Sequence, residues 1–119
     1  QPESSAASDV YKRQIYNCWL STSRKKLNKP FRIRKDWNGF EDKPEYIYVK
    51  KLAIMLRRYD NINIDEYIEA PYHVYPEKIA YQLQFYTTLK AMTCFKIHLK
   101  KKYNLTDKQF KEKIKKVDK

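Results

Sequence analysis

A single glycine, Gly39, serves a chain of 119 residues. Tight two-residue hairpin turns draw on glycine to reach positive φ, so a fold of many short antiparallel strands has almost nothing from which to build its turns. Helices make no such demand, and the chain is punctuated in the helical manner.

From Ile15 the apolar residues Ile15, Tyr16, Trp19 and Leu20 recur at one- and four-residue steps, which predicts a first helix ending before Lys29-Pro30. Asp42-Lys-Pro-Glu45 reads as a capping box with proline in the first turn. It predicts a helix to about Arg58 that buries Tyr48, Val49, Leu52, Ala53, Leu56 and Tyr59 and leaves Lys50, Lys51, Arg57 and Arg58 outside. Asn63-Ile-Asp-Glu66 repeats the capping pattern, with Ile62 and Tyr67 spaced as a hydrophobic staple, for a short helix that Pro71 stops. Between Ala70 and Pro76, two prolines and two tyrosines predict a stiff aromatic connection. Thr106-Asp-Lys-Gln109 is a further capping box, with Leu105 and Phe110 as staple, opening a lysine-rich helix whose apolar face is Phe110, Ile114 and Val117.

The longest apolar segment, Glu77–Lys102, is apolar on most of a helical circumference and is therefore expected at the centre of the fold. The predicted architecture is mainly α: a small single-domain bundle of four or five helices around that central helix. The alternative is an α+β fold with a short hairpin in residues 80–100, since Tyr81-Gln-Leu-Gln-Phe85 and Phe95-Lys-Ile-His-Leu99 alternate with the period of strands. Tyr86 to Cys94 contains no Gly, Asn, Asp or Pro for a turn, which favours helix.

Ser4-Ser-Ala-Ala-Ser-Asp-Val-Tyr-Lys-Arg-Gln14 resembles the translated sequencing-adaptor remnant carried by conceptual proteins from metagenomic assemblies. The resemblance implies that residues 1–14 are a non-native or disordered leader, that the native frame is interrupted upstream of Ile15, and that residues 15–119 form the helical domain. The leader's charges cancel, so 15–119 keeps the whole net charge of +12.

That charge is high for so short a chain and repels itself in the compact state unless an anionic partner neutralises it. It is also segregated. Arg24–Lys35 carries seven basic residues (Arg24, Lys25, Lys26, Lys29, Arg32, Arg34 and Lys35) and no acidic one, whereas Asp60–Glu77 carries five acidic residues and no Lys or Arg. Lysine and arginine neutralise phosphates and release counterions, so DNA or RNA is the expected partner of the basic segment. Phe31 and Trp37 interleave with it and could stack on unpaired bases. The plainer reading, that both rings belong to the core, is preferred because buried aromatics dominate small cores. A second reading of the charge is an adaptor or structural subunit that docks an acidic protein. The lysines of the last helix, among them Lys111, Lys115 and Lys116, alternate with Glu112 and Asp118 and read as an ordinary solvated surface.

Catalytic signatures are sparse: there is no phosphate-binding glycine loop, no nucleophile elbow and no Cys-x-x-Cys pair. Asp60, Asp65, Glu66 and Glu69 with His73 have the ligand types of a small metal-dependent nuclease, the third function considered. Asp65 and Glu66 equally fit the first turn of a helix, where carboxylates complement the backbone dipole, and that reading is preferred. Cys94 and His98 share a helical face as half of a metal site, but Cys18 and His73 lie far away in sequence. No metal, cofactor or enzymatic activity is expected. Two cysteines cannot build a disulfide framework and read as free thiols of a reducing, cytoplasmic compartment. No apolar run reaches the roughly 18 residues that span a bilayer.

Overall fold

The structure, a computed structural model, describes residues 5–116. Five α-helices follow one another, with no strand among the described residues: α1 Ser5–Lys26, α2 Tyr46–Leu56, α3 Ile64–Val74, α4 Leu89–Tyr103 and α5 Asp107–Lys113. Two 3₁₀ turns, Phe40–Asp42 and Leu83–Thr87, precede α2 and α4. The mainly α architecture is the one expected, and the hairpin over 80–100 does not form.

Individual elements depart from the sequence pattern for local reasons. Helix α1 begins at Ser5 rather than Ile15, so residues 5–14, set apart as a leader, continue into it. Tyr11 packs against the core, and the Lys12 ammonium donates to the Tyr46 hydroxyl at 2.8 Å. The expected capping box at Asp42–Glu45 is absent. Gly39 adopts the left-handed conformation (φ 74°) and turns the chain into the 3₁₀ segment Phe40–Asp42. This places Asp42 one turn too early, and α2 starts at Tyr46 with no side-chain cap.

Helix α3 runs through Pro71 to Val74, so the stiff loop expected at Ala70–Pro76 is largely helical. Pro71 forfeits one intrahelical hydrogen bond, and its ring lies fully buried in the core. The long central helix is also shorter than expected. Thr88 is extended (φ −97°, ψ 160°) and its hydroxyl accepts from the Ala91 N–H at 3.4 Å, which caps α4 at Leu89. Ile79, Leu89 and Ile97, counted toward a centrally buried helix, are exposed. The box at Thr106 forms in full: Thr106 Oγ1 accepts from the Gln109 N–H, and Gln109 Oε1 accepts from the Thr106 N–H. Val117 lies outside the described residues.

The broadest helix pairing is α3 on α4, while α1 packs on α2 and α3. Tyr67, Ile68, Tyr86, Phe95, Leu99, Ile15, Leu52 and Leu56 are essentially inaccessible to solvent. Tyrosine needs a partner for its hydroxyl when buried, and here the partners are backbone carbonyls. Tyr67 donates to the carbonyl of Tyr86 at 2.7 Å, and Tyr86 donates back to that of Ile68 at 2.7 Å. The exchange ties the Leu83–Thr87 turn to α3.

Candidate nucleic-acid interface

The seven basic residues divide between a helix end and the strap that follows it. Arg24, Lys25 and Lys26 form the last turn of α1, where cations complement the helix dipole. The helix then stops in a Schellman motif: Asn28 is left-handed (φ 57°), its N–H donates to Lys25 O at 3.1 Å, and the Lys29 N–H donates to Arg24 O at 2.9 Å. Pro30 follows and cannot continue the helix.

From there the chain returns alongside α1 and is fastened by one side chain. Asn17 accepts from the Arg34 N–H through Oδ1 at 2.9 Å and donates through Nδ2 to the Arg34 carbonyl at 3.1 Å. Residues 29–33 are thus a strap held between the Schellman turn and this double hydrogen bond. A groove between strap and helix is lined by Tyr16, Leu20, Arg32, Ile33, Arg34 and Lys35, with one carboxylate, Asp36, at its edge.

The side chains separate into two groups. Lys25, Lys26, Lys29, Arg32 and Lys35 are exposed, and Arg24 is half-buried. Among the described residues no carboxylate lies within ion-pair distance of any of the seven. Arg34 instead points inward: its guanidinium lies 5.4 Å from the ring centroids of both Trp37 and Phe40, and its Nε is buried without a partner. Trp37 meets Phe40 edge-on at 4.8 Å and Tyr16 at 5.9 Å, with the Arg13 guanidinium 5.7 Å away. Trp37 is therefore built into an aromatic cluster, as the plainer reading has it. Phe31 is not: it is 38% exposed, with Lys25 Nζ 5.9 Å from its ring centroid.

The lysines near the C-terminus are mixed in this respect: three are paired, whereas Lys111, Lys115 and Lys116 have no carboxylate in ion-pair distance among the described residues. Lys102 pairs with Glu66 at 3.0 Å, Lys96 with Asp107 at 3.6 Å, and Lys100 also with Asp107. Lys111, Lys115 and Lys116 are exposed.

Of the acidic stretch, Asp65, Glu66, Glu69 and His73 line one cavity together with His98 and Lys102, while Asp60 lies outside it; their polar atoms are engaged with separate partners. Asp60 donates its N–H to Lys115 O at 2.8 Å, Asp65 accepts from the Cys18 thiol at 2.8 Å, and Glu69 lies 3.9 Å from His73 Nε2. Burial alone would raise the Glu66 carboxyl, but hydrogen bonds from Tyr103 and Lys102 outweigh it and hold the group below its usual range. His73 and His98 stack at 4.2 Å with planes 7° apart, so their in-plane lone pairs run side by side rather than toward a shared ion. Burial, followed by the His73 and Lys102 charges, lowers the His98 pKa. Cys94 is buried, and among the described residues no group of three His, Cys, Asp or Glu is placed to hold a metal. Burial and the Asp65 carboxylate push the Cys18 thiol well above its ordinary value, which disfavours the thiolate.

Asn17 is the residue that sequence reasoning passed over. Its signal was an asparagine in a helix interior, where the amide competes with backbone bonding unless it has an external partner. Among the described residues no helix is long and apolar enough to cross a membrane. Comparison with protein-family models, with curated proteins and with solved structures finds no match to this chain.

Proposed function

We propose that the protein binds DNA or RNA without catalysis, contacting phosphates through Lys25, Lys26, Lys29, Arg32 and Lys35, with Arg24 behind them. The observation that carries the reading is a run of exposed cations with no carboxylate in ion-pair distance, spread over the last turn of α1, the strap fastened at both ends and the residue just beyond it. Cations without a carboxylate partner are what a phosphate backbone neutralises, and a pre-ordered strap lowers the entropy lost on binding; Lys26 Nζ also lies 5.0 Å from the Tyr72 ring centroid. Arg34, one of the seven in the sequence pattern, serves the aromatic cluster instead.

Anisotropy titrations at two salt concentrations test this. Affinity should fall steeply with salt, and charge reversal at Lys25, Lys26 and Arg32 should flatten the log–log slope by about 0.7–0.9 per lost phosphate contact. The same reversal at Lys111, Lys115 and Lys116 should change it less. Binding no tighter than about 10⁻⁴ M near physiological salt would sink the proposal and favour docking to an acidic protein. Incubation with magnesium or manganese should leave the nucleic acid intact. Cleavage lost in D65A or E69A would instead promote the nuclease.

A further inference from the structure

We infer that the strap presents Phe31 as a stacking platform for an unpaired base, so that the ligand is single-stranded nucleic acid. The inference rests on the phosphate-binding reading and adds to it the form of the ligand.

An aromatic ring contributes to nucleic-acid binding by covering a base face, and those faces are accessible only where bases are unpaired. Two rings lie within the basic region, and the structure separates them. Both the edge contacts of Trp37 and its neighbouring guanidinium groups hold it in the cluster that also seats Arg34. Phe31 has no aromatic neighbour within stacking range among the described residues, and more than a third of it faces solvent. Ile33, two residues on, is 42% exposed, so the strap offers two apolar side chains among its cations.

Position adds to exposure. Lys25 Nζ lies over one side of the Phe31 ring, 5.9 Å from its centroid, so the cation that would meet a phosphate borders the ring and the base would take the other face. Lys29 and Arg32 flank the ring in sequence and are exposed. Pro30 fixes φ immediately before Phe31, and the Asn17 bonds hold the far end of the strap, so the ring is displayed on an ordered backbone. A duplex-binding strap would have no use for an exposed phenyl ring between its cations, because paired bases are already stacked on each other.

The test compares a labelled single-stranded homothymidine oligonucleotide with a duplex of equal length, by anisotropy at low salt, using the full chain. F31L should weaken single-strand binding roughly 5- to 150-fold, the range of one base–aromatic stack, and change duplex binding by less than about twofold. F31W should restore single-strand affinity. Circular dichroism confirms that each variant is folded. Equal losses on both ligands, or no loss on the single strand while K25E/K26E still weakens it, would overturn the stacking inference and leave the phosphate reading in place. Absence of salt-dependent binding to either ligand would overturn both.

Discussion

Asn17 and Arg34 exchange two hydrogen bonds, side-chain amide to backbone, across seventeen residues of chain. The pair imitates one rung of a sheet ladder, with a helix residue in place of one strand. It lets an irregular basic segment hold a position without a strand partner and without spending its cations on carboxylates.

The first prediction concerns that pair. N17A should cost about 1–3 kcal/mol, the net worth of two hydrogen bonds, in urea unfolding. It should also lower nucleic-acid affinity, although no basic residue is altered, because the strap must then be ordered on binding. Unchanged stability together with unchanged affinity would mean that the strap does not depend on Asn17.

Arginine 34 should prove structural. Its planar guanidinium packs on Trp37 and Phe40, a geometry that a lysine ammonium does not reproduce. R34K should therefore destabilise the fold by about 0.5–2 kcal/mol, whereas R32K on the same strap should be close to neutral. Thermal melts of the two variants side by side provide the measurement, and equal melting temperatures would contradict the assignment.

The caps give a paired control. T106A removes the hydroxyl that accepts from the Gln109 N–H and should cost about 1 kcal/mol. D42A should change stability by no more than about 0.5 kcal/mol, as for an exposed residue without a special contact. A large effect at Asp42 would restore the capping box that its sequence position suggests.

Buried tyrosines set the alkaline limit. Burial raises the pKa of both Tyr67 and Tyr86 above the ordinary value, and pushes Tyr81 up to about 12. Above the unfolded tyrosine pKa of about 10 the unfolded chain binds fewer protons than the native one, so this contribution to stability falls as pH rises. Below that pH the contribution is fully present. Absorbance titration of tyrosinate should show exposed tyrosines ionising first and a late group ionising only with unfolding. Ionisation of every tyrosine in one step with the helical signal intact would contradict the burial.

Helix type and order were legible in the sequence because capping residues and apolar spacing act over three or four residues. Asn63 accepts from the Glu66 N–H as its position indicates, and Thr106 completes its box. What was not legible depended on distant packing. Pro71 looked like a stop, yet burial against the core carries α3 past it to Val74. Glu77–Lys102 looked like one helix, because its break rests on Thr88, whose capping role shows only once its own backbone is extended after the 3₁₀ turn Leu83–Thr87. At the candidate interface the exposed lysines followed from charge alone. The opposite fates of Phe31 and Trp37 did not, since two aromatic residues six apart carry the same composition signal and are distinguished only by what Tyr16, Arg34 and Phe40 do with the second.

What the strap and its ends contribute to the two fastenings is backbone: the Schellman bonds of Asn28 and Lys29 to Lys25 and Arg24, and the N–H and carbonyl of Arg34, which meet the Asn17 side chain. Side chains at 29, 31, 32 and 33 take no part in them. That division makes the segment an exchangeable display loop, in which the presented chemistry can be rewritten at those four positions while Asn17, Asn28 and Pro30 keep its shape. A library randomised there should return folded clones at high frequency.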